Sequence, residues 1–327
     1  MKIGKIPEIV LKRSVLNLIS NEDDRLLVGP SFGEDASVIE IPTGVNLVTA
    51  VASRFYLQEE EIYLCFMEAI NKIAAQGGIP YGILVNIVLD DTVREIVIKK
   101  TMSLLSGYCK SFGVSIIGGE TSVRKEVSSC LLSITCLGTV KEHQFVMTRG
   151  AKKGQDLVVT KWIALEGSYL IAHKKESQLL ERLPMSLIEE AKDYSAFLSI
   201  LPEAASAVKS GVSAMHRLSE GGVFAALWEL AESAGVGLKI DLKRLPIKQA
   251  TVEICEYFDL NPYLLRSGGS LLLAADKGHD LVNKMQEQGI AACVIGEVTD
   301  GHDKIVTNGD EVRFLEKTNK DEYYKIV

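Results

Sequence analysis

What this chain lacks narrows its function before any motif is considered. No basic stripe crosses it: 36 Lys and Arg stand against 43 Asp and Glu, a net charge of −7. Broad contact with a nucleic-acid backbone needs such a stripe, so no nucleic-acid partner is expected. No apolar run approaches the ~18 residues of a membrane span, and no membrane partner is expected. Near the start, Lys12 and Arg13 interrupt the apolar positions, which excludes the core of a signal peptide and makes a cytoplasmic location the expectation. Six cysteines form no C-x-x-C pair and lie in apolar periodic runs, a pattern of reduced core thiols rather than zinc ligands or disulfides. Low-complexity tracts and short tandem repeats are absent too.

What is present is enough apolar residue, 47% of 327, for two ordinary cores. Residues 45–51 and 82–89 read as buried strands, short, β-branched and almost uncharged. Between them, 60–76 carries Ile62, Cys65, Phe66, Ala69, Ile70 and Ile73 at helical spacing and stops at Gly77-Gly78. A second helix is expected over 92–112, ended by Gly113, followed by strands at 114–117 and 130–140. The polar stretch 148–155 reads as a boundary, giving domains 1–148 and 149–327. Beyond it, strands are expected at 156–160, 213–216, 270–275 and 292–298. Helices are expected at 177–200, from Pro202 onward, and at 223–234.

Three short turns combine glycine with an acid: Gly33-Glu34-Asp35, Gly118-Gly119-Glu120-Thr121 and Ser219-Glu220-Gly221-Gly222. Each falls where an apolar run stops or a helix begins. Small residues there let backbone amides approach an anion while a nearby acid holds its metal. The pattern points to a phosphorylated small molecule.

These turns belong to a longer set: Gly33-Glu34-Asp35-Ala36, the run from Asn71-Lys72 to Ile79-Pro80, Ile117 to Thr121, Thr160-Lys161-Trp162 with Leu165-Glu166-Gly167, and Met215 to Gly222. In that order they resemble the superfamily of aminoimidazole ribonucleotide (AIR) synthase, the hydrogenase maturation factor HypE, thiamine-monophosphate kinase and selenophosphate synthetase. The HypE-like, AIR-synthase-related branch is the most similar. The resemblance implies a PurM-like two-domain fold: an α/β N-terminal domain with a mixed sheet and helices on one face, and an α+β C-terminal domain. It also implies a homodimer paired through the N-terminal sheets. ATP would lie in a cleft between subunits and domains, its phosphates neutralised by magnesium.

On the positions that match, Asp35 and Glu120 are the metal ligands implied. Asp35, Asn71, Lys72, Gly118, Gly119, Glu120, Thr121, Gly221 and Gly222 are the nucleotide-binding residues, and His216 and Glu220 the catalytic candidates on the substrate side. The chain departs from the family at three acids. Val51 stands where a Thr-Thr-Asp turn is usual, Lys72 replaces the acid of an Asn-Asp pair, and Arg217 replaces the acid of Met-His-Asp. Two readings of Lys72 stand side by side. It meets phosphate oxygens in the metal's stead, or it pairs on a solvated helix face with Glu68, four residues earlier. Lys161 and Glu166 are expected either to form a surface pair or, less readily, to serve the substrate; Trp162 and Trp228 are expected to pack.

The departures also remove specific activities. The sequence ends Tyr323-Tyr324-Lys325-Ile326-Val327 without the terminal cysteine of a hydrogenase maturation factor. Its first cysteine, Cys65, lies too late for a selenophosphate synthetase nucleophile. The threonine-rich run of AIR synthase is replaced by residues 49–55. Two expectations remain: an ATP-dependent enzyme activating a small acceptor of unknown identity with weakened magnesium dependence, or a dimeric pseudoenzyme that binds a phosphorylated ligand or partner without turnover.

Overall fold

The computed structural model describes residues 3–20, 23–32, 36–317 and 320–326. Gly33, Glu34 and Asp35, and with them the proposed metal ligand Asp35, lie outside the described residues. The chain divides into two compact units, Met1–Ile73 with Gly78–His143, and Ala74–Gly77 with Gln144–Val327.

The first unit contains β1 (Gly4–Lys5), α1 (Glu8–Ser14), β2 (Leu26–Val28), β3 (Val38–Ile39), β4 (Val45–Phe55), α2 (Glu59–Ala74), β5 (Ile79–Leu89), α3 (Glu95–Phe112), β6 (Ser115–Val123) and β7 (Leu131–Lys141). Its main sheet runs β1-β6-β5-β7-β4, and β5 and β6 are the parallel pair within otherwise antiparallel neighbours. A parallel pair needs a long crossover, and α3 supplies it. The sheet is therefore mixed, as the resemblance implied.

On α2, every residue singled out by spacing (Ile62, Cys65, Phe66, Ala69, Ile70 and Ile73) is fully buried. The Gly77 amide closes the helix on Ala74 O and that of Gly78 on Ile73 O, with Gly77 at φ 78°. Helix α3 begins at Glu95 rather than at 92, because the Asp90 carboxylate accepts from the Thr92 amide at 2.9 Å and holds a turn there. Strand β5 begins at Ile79, earlier than expected. It takes in Pro80 through a register shift between Pro80 and Gly82, which accommodates the missing N–H.

Along β7 burial alternates residue by residue, so one face of the sheet carries the core. The other face is open. Leu47, Val51 and Phe55 on β4 and Ile79 and Leu84 on β5 are exposed there; Leu47 and Ile79 align across β7 at Thr139, and Val51 and Leu84 at Thr135.

The second unit holds β8 (Asp156–Thr160), α4 (Leu165–Lys174), α5 (Glu176–Leu179), α6 (Met185–Lys192), α7 (Leu201–Ser210), β9 (Ala214–Arg217), α8 (Gly222–Ala234), β10 (Gly237–Asp241), α9 (Gln249–Tyr257), β11 (Leu271–Ala275), α10 (Gly278–Glu287), β12 (Ala292–Thr299), β13 (Lys304–Asn308) and β14 (Glu311–Phe314). Its sheet runs β14-β13-β10-β12-β8-β11-β9. Leu157 and Val159 of β8 face one apolar cluster with α8, while Val158 faces another with α7 and α10. Burial on both faces explains why β8 and β11 are nearly uncharged. The single helix expected over 177–200 is instead α5, α6 and a short 3₁₀ turn, Asp193–Phe197. Pro184 lacks the amide to carry a helix through and sits at the N-cap of α6.

All six cysteines are free thiols, and five are buried. Burial pushes Cys65, Cys109, Cys136 and Cys255 up to about 12. Among the described residues no helix is long and apolar enough to cross a membrane.

Candidate functional site

The strand expected at 114–117 runs on as β6 to Val123, so Gly118–Thr121 form no turn but a stretch of paired strand, and this stretch lines a cavity of about 440 Å3 in the first unit. Gly118, Gly119, Glu120 and Thr121 line it together with Lys5, Phe32, Ser37 and Leu84. Its shape follows from the strand. The β5–β6 register slips between Ile83 and Leu84, leaving Ile117 as an extra residue whose carbonyl accepts from the Ser37 hydroxyl. At Gly119 the backbone takes φ 147°, and a Cβ there would stand 1.9 Å from Val85 O. Glycine is thus demanded by strand pairing as well as by any approaching anion. At Gly118 a Cβ would meet side-chain atoms alone, the tip of Leu84 at 2.9 Å and the Ser37 hydroxyl at 3.6 Å. The carboxylate of Glu120 stands 3.8 Å from Arg124, with both side chains half exposed.

Lys72 lies elsewhere in this unit. Its ammonium donates to Val51 O at 2.7 Å and pairs with Glu68 at 2.8 Å. Arg54 adds contacts to Glu68 at 3.1 Å and to Glu61 at 3.8 Å. An ionic network of four side chains therefore occupies the edge of β4, where the resemblance led to an expectation of acids. The ion pair with Glu68 read from helical spacing is present, and neighbouring Asn71 is buried. Between β4 and β6 lie β7 and β5, three interstrand steps, or roughly 14 Å. Within one chain, Asn71 and Lys72 are not brought to the Gly118–Thr121 cavity.

In the second unit, His216, next to last in β9, stands between two partners. Its Nε2 lies 2.8 Å from a Glu229 oxygen and its Nδ1 3.0 Å from the Thr148 hydroxyl. The Glu229 carboxylate can only accept, so Nε2 donates to it, while the Thr148 hydroxyl that meets Nδ1 also donates to Met215 O at 3.3 Å. The hydrogen bond to His216, ahead of the loss of hydration, holds the Glu229 carboxyl below its ordinary range. The two contacts hold the imidazole's orientation.

Gly221 (φ 79°) and Gly222 (φ 69°) start α8, and a Cβ on Gly222 would meet Tyr263 O at 2.4 Å. The Gly221 amide is already engaged, donating to Asp321 Oδ2 at 2.7 Å. Glu220 stands 3.8 Å from Arg266 and is 60% exposed, so it is open to a ligand. Sequence reasoning missed Arg266 and Asp321. Arg266 precedes another glycine pair, Gly268-Gly269, and that pair is the one signal that could have drawn notice to it.

The surface pairing of Lys161 with Glu166 is corrected: both residues are buried and neither meets the other. Lys161 pairs with Glu203 at 2.7 Å and donates to Ser199 O at 2.5 Å, while Glu166 lies 3.6 Å from Arg266. Trp162 packs edge-on against Phe197, as expected of a packing residue. Among the described residues no group of three or more His, Cys, Asp or Glu side chains could hold a metal, and Asp35 lies outside them. The described donors do not by themselves fit a magnesium cluster.

Comparison with known proteins defines the class. Residues 33–140 match the N-terminal domain of AIR synthase related protein, and residues 152–308 match its C-terminal domain. The chain belongs to the AIR synthase-related family and has its PurM-like two-domain fold. Among curated relatives, the carbamoyl dehydratase HypE of Cupriavidus necator is 25% identical over 275 residues, covering 79% of this chain and 76% of that protein. The phosphoribosylformylglycinamidine synthase subunit PurL of Methanopyrus kandleri is 24% identical over 92% of this chain, which spans 42% of that longer protein. Among solved structures, E. coli HypE superposes with a TM-score of 0.79 at 18% identity, covering 97% of this chain and 98% of that one. A HypE in complex with ATP gives 0.76 at 13%, covering 96% and 95%.

Proposed function

We propose that this protein binds ATP at the Gly118–Thr121 cavity, with weakened dependence on magnesium, and that its ancestral reaction activates an oxygen of a small acceptor by phosphorylation. The observation that carries this is the 440 Å3 cavity itself, floored by two glycines on a strand that slips register to expose its backbone. Support comes from a family relative described in complex with ATP. A thiamine-monophosphate kinase described with AMPPCP and TMP adds to it, at a TM-score of 0.68, 18% identity and coverage of 88% and 91%.

Each proposed residue has a task. Gly118 and Gly119 admit phosphates to backbone amides, Thr121 and Glu120 flank them, and Asp35 and Glu120 hold whatever magnesium remains. Lys72 supplies a fixed positive charge where family members have an acid. The chain would act as a homodimer. The open apolar face of Leu47, Val51, Phe55, Ile79 and Leu84 fits burial against a second copy. Such pairing offers a route to joining the Lys72 edge of one copy with the cavity of the other, which one chain keeps roughly 14 Å apart. His216, held by Glu229 and Thr148, and Glu220, on the turn that leads into α8, are the residues assigned to the acceptor side. A cytoplasmic setting, with neither nucleic acid nor membrane as partner, fits the net charge of −7.

A second reading rests on the Lys72–Glu68–Arg54–Glu61 network, whose charges already satisfy one another. If they stay paired with ligand present, the protein is a dimeric pseudoenzyme that binds without turnover. A thermal-shift series with ATP and ADP, with and without magnesium, followed by phosphate release, separates the two. Stabilisation with slow release supports the enzyme, and stabilisation without release the pseudoenzyme. No stabilisation by either nucleotide refutes both nucleotide readings.

A further inference from the structure

A second cavity lies wholly within the second unit, and nothing in the nucleotide reading uses it. Its volume is about 740 Å3, larger than the 440 Å3 of the Gly118–Thr121 cavity and within the range of small-molecule sites. Side chains of α8, the 261–264 loop and the β13–β14 hairpin line it. Val306 and Leu315, 5% and 6% exposed, tie its wall to the core of the unit, and the Leu315 amide donates to Lys304 O at 2.7 Å, holding the chain after β14 in place.

The wall is aromatic and built in advance. Phe224 and Tyr263 stack with centroids 5.2 Å apart and planes 12° from parallel. Their backbones are tied together: the Phe224 amide donates to Tyr263 O at 3.2 Å, the Tyr263 amide to Asn261 Oδ1 at 3.0 Å, and the Leu264 amide to Asn261 O at 3.0 Å. Rings held this way cost little further order when a ligand arrives. Phe314, on the outermost strand, adds a third ring and is 67% exposed. Covering it with a flat ligand recovers apolar burial and ring contact that the chain alone leaves unmade.

Charge selects the kind of ring compound. Arg313, Glu316 and Lys317 are the charged residues on the wall, two cations against one carboxylate, a net charge of +1. Glu311 meets Arg313 at 2.7 Å, but both side chains are more than half exposed, where such a pair is weak and readily exchanged. Among the described residues no carboxylate lies within ion-pair distance of Lys317. Glu232, the acid that feels its charge, is itself held by Lys304 at 2.6 Å. The Tyr263 hydroxyl likewise has no hydrogen-bond partner among the described residues, and burial pushes its pKa up.

We propose that this cavity binds an aromatic carboxylate, its ring system against the wall of Phe224, Tyr263 and Phe314 and its carboxylate paired with Lys317. Arg313 adds to the attraction for the anion. The inference goes beyond the nucleotide reading and stands whether or not ATP binds in the first unit.

The probe is 2-naphthoate, and its neutral counterpart 2-naphthalenemethanol is the control. Calorimetry on the full chain should show the acid bound about tenfold more tightly than the alcohol, the contribution of one charge-assisted contact. Tyr263→Leu keeps bulk and removes a ring, and should weaken both compounds about fivefold to tenfold. Lys317→Gln, at an exposed position, should remove most of the preference for the acid and leave the alcohol unchanged. Should circular dichroism show that Tyr263→Leu fails to fold, Phe314→Ser, at an exposed ring, carries the aromatic arm of the test. No binding of 2-naphthoate below about 1 mM, acid and alcohol bound alike, or an acid affinity that either the ring variant or Lys317→Gln leaves unchanged would overturn the proposal and make the space a plain surface crevice.

Discussion

Replacing Lys72 by methionine keeps the aliphatic stem and removes only the ammonium. Structurally the loss is small. The Glu68 pair, four residues apart and about a quarter exposed, contributes about 0.3–0.5 kcal/mol, and the bond to Val51 O adds about 1 kcal/mol. Glu68 keeps Arg54 at 3.1 Å, so no charge is orphaned. A melting temperature lower by about 2–5 °C is expected. For the ligand the loss is larger where the proposed dimer sets Lys72 of one copy against the cavity of the other, because an ammonium about 4 Å from a phosphate charge interacts by roughly 4 kcal/mol at an effective dielectric of about 20. Even a third of that surviving competition with water is tenfold in affinity. Calorimetry with ATP in chelator should therefore show Lys72→Met at least tenfold weaker than wild type, and Lys72→Arg close to it. If Lys72→Met loses the expected stability but binds ATP unchanged, Lys72 is only half of a surface ion pair.

Other consequences follow from the packing. Glu203→Gln strands the buried Lys161, whose burial pushes its ammonium below its ordinary pKa. Urea unfolding should show about 3–5 kcal/mol lost, largely recovered by Lys161→Met with Glu203→Leu, and a loss under 1 kcal/mol would contradict the ion pair. Gly119→Ala forces a Cβ to within 1.9 Å of Val85 O and should destabilise the first unit, whereas Gly118→Ala, meeting only the side chains of Leu84 and Ser37, should fold and weaken ATP binding. Circular dichroism beside calorimetry distinguishes them. Glu95 is held down to about 2 by hydrogen bonds from Arg13 and Ser14. A depressed carboxyl contributes stability above its unfolded value near 4.5 that is lost as pH falls toward about 2. Hydrogen exchange of α1 should quicken across that window, and a flat profile would argue against the contact.

Local periodicity and turn chemistry were the legible part of the sequence. The buried stripe of α2, its glycine stop and the Glu68–Lys72 pair all act within one or two helical turns, which spacing reads directly. Pro184 broke a helix drawn too long, and Asp90 delayed another, because competing local bonds outweigh a smooth apolar pattern. What spacing could not see was partnership at a distance. Lys161 meets Glu203, Glu166 approaches Arg266, and Gly221 is bound by a carboxylate 100 positions along the chain. Glycine itself was an ambiguous signal: Gly119 answers to Val85 across the sheet before it answers to any phosphate.

The claim at the centre is that a nucleotide crevice persists at Gly118–Thr121 with little need of a divalent ion. Titration calorimetry of ATP into the full chain, once in magnesium and once in chelator, tests it most directly. The account predicts measurable binding in both, with affinities within about tenfold, or about 1.4 kcal/mol. Binding that vanishes in chelator, or is absent in both, would contradict it.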